Sequence, residues 1–165
     1  MPHDTMKRQE SWMKAGIAVA PVIIVLLLGQ WATFPNIPGW YAGLVKPVFN
    51  PPNWIFGPVW TCLYALMALA VWRIWMLPAE ARGRSPAFIC FYLQLTFNAA
   101  WSWAFFALHS PALGLVDIIP QWILILETIR RFHRLDRLAA YALLPLAFWV
   151  AFAFALNFEI WRLNG

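Results

Sequence analysis

Apolar residues fill four long stretches of the chain that carry no Asp, Glu, Lys or Arg. These stretches lie between Lys14 and Lys46, Lys46 and Arg73, Arg84 and Asp117, and Arg137 and Glu159. A helix needs about 20 mostly apolar residues to cross the roughly 30 Å hydrocarbon core of a membrane, and each stretch can hold one. A fifth stretch, 112–132, is apolar apart from six polar residues, the last two of which are Arg130 and Arg131. The pattern predicts five membrane-spanning helices, because in lipid the backbone must satisfy its own hydrogen bonds.

These segments predict an all-α fold, an integral membrane bundle of five transmembrane helices. The expected helix bounds are 12–33, 55–77, 86–108, 111–133 and 138–163. They form a single domain, 12–165, preceded by an N-terminal cytoplasmic tail, 1–11. Pro35 and Pro38 are expected to close the first helix, since proline lacks the N–H that continues one. Pro145 lies inside the fifth helix, where we expect a kink.

Composition excludes the other broad classes of protein. Hydrophobic residues make up 62% of the 165 positions and charged residues only 12%, whereas soluble domains carry about 25% charged residues. A soluble domain of this size could not bury so much apolar surface. Disordered chains are poor in aromatic residues, and this chain has 12 tryptophans.

The basic residues are distributed unevenly between the two ends of the predicted helices. One end carries Lys7, Arg8, Lys14, Arg73, Arg82, Arg84, Arg130, Arg131, Arg134 and Arg137, and the other carries Lys46 and Arg162. The positive-inside rule therefore predicts a cytoplasmic N-terminus and an outward-facing C-terminus. The short basic N-terminus favours a bacterial cell membrane. The net charge of +5 is explained by topology and anionic lipid headgroups and indicates no nucleic-acid partner.

The connection between the first two helices, 34–54, is long, rich in proline and aromatic. Connections of this length in compact proteins are often functional, for example as lids. The alternative is an aromatic anchor at the headgroup level, which Trp and Tyr favour. Both interpretations stay open at the level of sequence.

Reactive and metal-ligating residues are sparse in the predicted spans. Cys62 and Cys90 match no metal-ligand spacing and are expected to be buried thiols, so we predict no metal site. Asp117 and Glu127 lie in the fourth span, where ionisable residues are functional candidates by default. We expect structural pairing for both, with Arg130 or Arg131 as the partner of Glu127.

Polar and aromatic residues at helical spacing lie along single faces of three helices: Trp60, Tyr64 and Met67; Gln94, Asn98, Trp101 and Phe105; and Trp149, Ala153 and Leu156. Each stripe alone is explained by ordinary helix packing. Together with the stiff first connection they indicate an apolar pocket with a few polar groups, suited to a flat hydrophobic ligand.

The same regions carry a family resemblance. Residues 51–54 (PPNW), 57–67 (GPVWTCLYALM), 94–101 (QLTFNAAW), 115–117 (LVD), 145–149 (PLAFW) and 156–162 (LNFEIWR) resemble the motifs of the TspO/MBR family in order and spacing. The likeness covers nearly the whole chain after the N-terminal tail.

The resemblance implies a membrane receptor or sensor for porphyrins such as protoporphyrin IX and for other apolar ligands, with a homodimer as the usual assembly and no obligatory cofactor. The alternatives it implies are a light-dependent porphyrin-degrading enzyme, with Trp60 and Trp149 as the candidate catalytic residues, and a transporter of tetrapyrroles or sterols. The ligand-binding positions that carry over are Phe56, Gly57, Trp60, Asn98, Trp101, Trp149, Ala153 and Leu156.

Three positions depart from the family pattern. Phe158 stands where the sterol-recognition pattern has a tyrosine, which leaves sterol binding open. Trp103 replaces a proline that is frequent in the third helix. Leu113 replaces a ligand-contacting tryptophan of some members.

Overall fold

A computed structural model describes residues 2–165, with side chains from residue 12 onward, and all regular structure in this part is helical. The α-helices are α1 Pro2–Thr33, α2 Asn53–Trp75, α3 Arg84–Ser102, α4 Pro111–Leu135, α5 Arg137–Ala142 and α6 Leu144–Asn164. The predicted all-α class is confirmed. The predicted starts and ends lie within a few residues of the observed ones, with two exceptions. The first helix, α1, begins at Pro2 rather than at residue 12, and α3 ends at Ser102, where a π-helical turn, Trp103–Ala107, follows it.

The first part of the loop predicted for 34–54 is helical, and only residues 44–52 are irregular. A 3₁₀ turn, Phe34–Asn36, and a π-helical turn, Ile37–Tyr41, continue directly from α1. Pro35 and Pro38 therefore end the α-helical hydrogen bonding at Thr33 but do not end the helical path. Changes of helical period of this kind shift the hydrogen-bond pattern, so the missing proline N–H groups do not stop the winding.

Within residues 12–165, four helical segments are long and apolar enough to cross a membrane: Trp12–Tyr41, Asn53–Trp75, Pro111–Leu135 and Arg137–Asn164. The prediction of five spans is therefore met for four. The predicted span that is not apolar enough is α3, although the fourth predicted span carries more ionisable residues. The reason is that α3 includes Gln94 and Asn98, which are only 1% and 3% exposed and face the protein interior.

The fifth predicted helix, 138–163, is two helices rather than one. Leu143 separates α5 from α6, and Pro145 lies in the first turn of α6. A proline at that position loses no hydrogen bond, because the first N–H groups of a helix have no partner in any case. The expected kink is thus a break just before the proline.

The main core takes buried side chains from all six α-helices and includes the contact between α3 and α4. The rings of Phe91 and Phe132 stack at 5.8 Å and are fully buried. Arg73 on α2 and Asp136 before α5 form an ion pair of 2.7 Å. Asp136 also caps α5 by accepting a hydrogen bond from the backbone of Ala139. These contacts fix the helix ends that carry most of the basic residues.

Large apolar side chains cover the outside of the bundle. Exposed examples on several helices are Ile24, Leu27, Trp31, Val116, Ile123 and Phe148. Soluble monomers rarely expose contiguous apolar surface on this scale, whereas lipid contact requires it.

Candidate functional site

A cavity lies between α1, α2, the end of α3, and α6, beneath the 3₁₀ and π turns. It encloses about 1060 Å³ of space, counting its open mouth. Its wall is formed by Leu26, Gly29, Gln30, Thr33, Phe34, Ile37, Tyr41, Asn53, Phe56, Gly57, Trp60, Tyr64, Asn98, Trp101, Ser102, Phe105, Phe106, Trp149, Phe152, Ala153, Leu156, Asn157 and Ile160. No Asp, Glu, Lys, Arg or His is among these wall residues.

All eight of the predicted ligand-binding residues lie on this wall: Phe56, Gly57, Trp60, Asn98, Trp101, Trp149, Ala153 and Leu156. Three different helices bring the key indoles together, with Trp60 on α2, Trp101 on α3 and Trp149 on α6. Other members of the predicted stripes do not reach the cavity. Gln94 and Met67 contact each other, through Nε2 and Sδ at 3.8 Å, and are not wall residues.

The aromatic rings that line the cavity contact one another in edge-on, tilted and stacked pairs. Phe56 meets Trp149 edge-on at 6.0 Å, and Trp149 contacts Phe152 at 5.4 Å. On the other side Trp101 stacks on Phe105 at 5.2 Å. Offset and edge-on pairs are favourable by about 0.5–1.5 kcal/mol beyond area burial, so these rings hold each other in place.

Buried amides connect the helices around the cavity. Tyr64 on α2 donates a hydrogen bond from its hydroxyl to Asn98 Oδ1 on α3 at 2.5 Å. Trp101 Nε1 donates to Asn157 Oδ1 at 3.1 Å, and Asn157 Nδ2 donates to the carbonyl oxygen of Pro111 at 2.8 Å. Because buried polar groups need partners, these bonds fix the positions of four helices, α2, α3, α4 and α6, relative to one another.

A glycine on α4 makes the Asn157 contact geometrically feasible. A Cβ atom at Gly114 would lie 2.5 Å from Asn157 Oδ1 and 3.3 Å from Trp101 Nε1. Only the absence of a side chain lets α4 approach so closely, as in close helix packing within membranes. Gly57, by contrast, has nothing within 4 Å of such an atom, so it borders open space.

Some polar groups on the wall have no hydrogen-bond partner among the described residues. The indole N–H groups of Trp60 and Trp149 are two of them, and the side chains of Gln30 and Ser102 are others. An apolar cavity with a few such groups is the usual form of a small-molecule site. The geometry favours a ligand with a broad apolar body and a few acceptors at its edge.

The cover segment, which we define as residues 34–52, closes one end of the cavity. Tyr41 is 3% exposed and donates a hydrogen bond to Asn50 Oδ1 at 2.9 Å. Trp40 stacks on His109 at 4.8 Å, and His109 Nε2 lies 2.8 Å from Asn36 Oδ1. The segment lies over the cavity, as the lid interpretation predicts, and contributes Phe34, Ile37 and Tyr41 to its wall. The anchor interpretation fits its outer residues, because Val48 and Phe49 are exposed.

The cover segment is also tied to the C-terminal end of α6. Asn164 Oδ1 accepts a hydrogen bond from Val45 N at 3.0 Å, and Asn164 Nδ2 donates to the carbonyl oxygen of Val45 at 2.9 Å. One amide side chain therefore holds both polar groups of a single backbone residue.

The ionisable residues of the fourth span lie away from the cavity. Glu127 forms ion pairs with Arg130 at 2.6 Å and Arg131 at 2.7 Å, which confirms the predicted pairing. The pairing predicted for Asp117 is wrong: its Oδ2 atom is buried without a hydrogen-bond partner. No group of three His, Cys, Asp or Glu side chains comes together within residues 12–165.

Several wall residues are absent from the predicted ligand set. Asn157, Tyr64 and Phe152 were visible in the sequence as a polar or aromatic residue inside an apolar span, and Tyr64 already belonged to a predicted stripe. Tyr41 lies in the aromatic first connection, but its position on the wall depends on how the chain continues past Thr33. Gly29 gave no signal in the sequence.

Comparison with known proteins identifies the family to which this chain belongs. The sequence model of the TspO/MBR family matches residues 17–162, a range that includes every wall residue. The chain belongs to the TspO/MBR family. The predicted family membership is confirmed, and the apolar helices together with the family show an integral membrane protein.

Named relatives come from archaea, bacteria and mammals. The chain is 39% identical to the tryptophan-rich protein TspO of Archaeoglobus fulgidus, over 93% of this chain and 98% of the relative. It is 38% identical to the tryptophan-rich sensory protein of Cereibacter sphaeroides, over 76% and 77%. It is 34% identical to the translocator protein of Sus scrofa, over 86% of each chain.

The structure shows where the three residues that depart from the family pattern lie. Leu113 is 49% exposed and is not on the wall, and Trp103 begins the π-helical turn Trp103–Ala107 and meets Trp31 edge-on. Phe158 is exposed, while Arg162 of the same pattern forms an ion pair with Glu159 at 2.7 Å.

Proposed function

We propose that this TspO/MBR protein is a membrane receptor or sensor that binds porphyrins, of the protoporphyrin IX type, and similar apolar ligands. The observation that supports it best is the meeting of Trp60, Trp101 and Trp149 on the wall of one apolar cavity. A flat macrocycle matches such a wall, because ring faces and edges offer stacking and edge-on contacts.

The polar groups of the wall suit the periphery of such a ligand. The unpartnered N–H groups of Trp60 and Trp149 can donate hydrogen bonds to acceptor atoms of the ligand. The side chains of Gln30 and Ser102 can either donate or accept them. Because no charged side chain lines the wall in the part of the chain that the structure describes, carboxylates of the ligand belong at the mouth. Lys46 is the one cation of the cover segment, and its Nζ lies 4.7 Å from the centre of the Tyr41 ring.

The proposed topology has five spans. From Arg84 to Ala107 the third helix and its π turn rise about 36 Å at about 1.5 Å per residue, which exceeds the roughly 30 Å hydrocarbon core. Its buried polar residues face neighbouring helices rather than lipid. With the basic end inside, the N-terminus is cytoplasmic and the cover segment and C-terminus face outward, in a bacterial cell membrane. Cysteine labelling from either side of sealed vesicles tests this topology.

Titration of the detergent-solubilised protein with protoporphyrin IX in the dark tests the binding proposal. We expect a saturable shift of porphyrin absorbance and saturable quenching of tryptophan fluorescence. Trp60→Phe and Trp149→Phe should each weaken binding about 2- to 12-fold, the equivalent of about 0.5–1.5 kcal/mol of ring contact. Trp31→Phe is the matched control, because Trp31 is 70% exposed and not on the wall. Absence of saturation, or equal effects of all three variants, contradicts the proposal.

A second candidate function, light-dependent degradation of the bound porphyrin, is favoured by the placement of both Trp60 and Trp149 on the wall. An indole in contact with an excited macrocycle can donate an electron to it. Porphyrin absorbance would then fall in light and in the presence of oxygen, but not in darkness. Loss of this decay in both Phe variants at saturating porphyrin would identify an enzyme rather than a receptor.

The resemblance also supports a homodimer, and light scattering of the purified protein measures the assembly directly. Sterol binding is the less favoured partner proposal, since Phe158 offers no hydroxyl and Arg162 is held by Glu159. Competition between a sterol and protoporphyrin IX in the same titration tests whether both use this cavity.

A further inference from the structure

A second recess lies at the opposite end of the bundle from the cover segment. It encloses about 730 Å³, counting its open side, and is lined by Arg82, Gly83, Arg131, Arg134 and Leu135. Three of its five lining residues are arginines. They come from two separate elements, the turn between α2 and α3 and the C-terminal end of α4.

The turn that carries Arg82 is held in a fixed shape. The Ala81 N–H donates to Pro78 and the Arg84 N–H to Ala81, each at 3.0 Å. Gly83 has a φ of 90°, a conformation that favours glycine. Arg84 clamps the turn to α2 through hydrogen bonds to the carbonyl oxygens of Ile74 and Trp75. The position of Arg82 at the rim of the recess is thus set by the backbone.

Much of the positive charge in the recess is uncompensated. Arg82 and Arg134 are exposed and form no ion pair or hydrogen bond with any residue described. Arg131 Nε lies 2.7 Å from Glu127 Oε1 but makes no aligned hydrogen bond, and Glu127 is shared with Arg130. Three guanidinium groups therefore face the recess against one shared carboxylate.

The start of α3 adds an independent feature. Gly83 is its N-cap residue and supplies no side-chain hydrogen bond to the first turn. The N-terminus of a helix carries partial positive charge and favours anions. The arginines and the uncapped helix start therefore present the same sign of potential to the same recess.

We propose that this recess binds the phosphate group of an anionic lipid, such as phosphatidylglycerol. Arginine is well matched to phosphate because its planar fork of N–H groups can donate two parallel hydrogen bonds. Basic pockets between transmembrane helices on the cytoplasmic side characteristically bind phosphate headgroups. This site is separate from the aromatic cavity and does not depend on its ligand.

The surroundings favour a lipid over a soluble phosphate. Leu135 gives the recess an apolar wall. The two helices that frame it carry exposed apolar side chains, Ile89 and Leu93 on α3 and Leu126 on α4. A phosphate held by the arginines would thus have apolar helix surface beside it for its acyl chains.

Native mass spectrometry of the full-length protein, released from mixed phosphatidylglycerol and phosphatidylcholine nanodiscs, tests the proposal. We expect the wild type to retain phosphatidylglycerol preferentially, and Arg82→Gln with Arg134→Gln to reduce that retention at least tenfold. Arg137→Gln is the matched control, because Arg137 is exposed at the same end but does not line the recess. We expect less than a twofold change there. Circular dichroism confirms that each variant is folded.

Other outcomes overturn the proposal. Equal losses in the paired variant and in Arg137→Gln would show general attraction to basic charge rather than a site. Unchanged retention in a folded paired variant would exclude the recess. Displacement of the lipid by millimolar inorganic phosphate, with no dependence on acyl chains, would assign the site to soluble phosphate instead.

Discussion

Trp101 Nε1 donates a hydrogen bond of 3.1 Å to Asn157 Oδ1, and this bond joins α3 to α6 beside the cavity. Asn157 is 1% exposed, and its Nδ2 extends the connection to the carbonyl oxygen of Pro111 at the start of α4. One amide therefore links three helices. Its position next to a wall tryptophan makes the shape of the cavity depend on a polar contact rather than on apolar packing alone.

Asn157→Ala should lower the free energy of unfolding by roughly 1–2 kcal/mol, because it leaves the Trp101 N–H and the Pro111 carbonyl unpaired. Trp101→Phe removes only the donor. The double variant should lose less than the sum of the two single losses, since both remove the same bond. Unfolding of the detergent-solubilised protein measures the cycle, and strictly additive losses would contradict the link.

Gly114→Ala should destabilise the protein by about 1–3 kcal/mol, although alanine is the better helix former by about 1 kcal/mol. The reason is the 2.5 Å approach of a Cβ at Gly114 to Asn157 Oδ1. Gly16→Ala is the matched control, because a Cβ at Gly16 on α1 has nothing within 4 Å. Thermal unfolding of both variants should show a lower midpoint for Gly114→Ala alone.

The helices could be predicted from the sequence, but the conformation of the segments that connect them could not. Charge-free apolar stretches predict spans because lipid tolerates few charges, and four of five met that expectation. The same rule does not describe α3, since Gln94 and Asn98 face other helices. Pro35 was expected to end the helix, but 3₁₀ and π-helical turns continue it. This continuation depends on the tertiary contacts of Trp40 and Tyr41.

The cavity wall was predictable where helical spacing alone sets a face. Trp60, Trp101 and Trp149 share a cavity because each belongs to a periodic stripe. Asp117 could not be assigned in this way, because its lack of a partner depends on the packing of neighbouring helices. The Asn157 network was equally inaccessible, since it requires knowing that Gly114 brings α4 against α6.

Asp136 should make stability dependent on pH in the acid range. Burial raises the pKa of this carboxyl, but hydrogen bonds from Arg73 and from the backbone of Ala139 lower it more, so its pKa lies below the ordinary value. A depressed pKa means that the ionised carboxylate stabilises the fold above about pH 4, and that this contribution is lost as pH falls through the lowered pKa.

Two substitutions separate the roles of Asp136. Asp136→Asn keeps the helix cap but loses the ion pair, so we expect a loss of up to about 1 kcal/mol at pH 7. That loss should vanish in acid below the lowered pKa, where the wild-type carboxyl is protonated. Asp136→Ala also loses the cap, about 1 kcal/mol more at any pH. A wild-type advantage over Asp136→Asn that persists in strong acid would contradict the assignment.

Asn164→Ala should loosen the cover segment, because it removes both hydrogen bonds that hold the backbone of Val45. Each bond contributes about 0.5–1.5 kcal/mol, so the loss of both should accelerate amide exchange around Val45 by about 5- to 150-fold. If the segment is the lid of the proposed porphyrin site, dissociation of protoporphyrin IX should accelerate in parallel. Arg162→Gln is the matched control: it lies at the same end, but its side chain bonds Glu159 rather than the cover segment. Faster exchange with unchanged dissociation would assign the segment to anchoring, whereas unchanged exchange would show that Asn164 does not hold it.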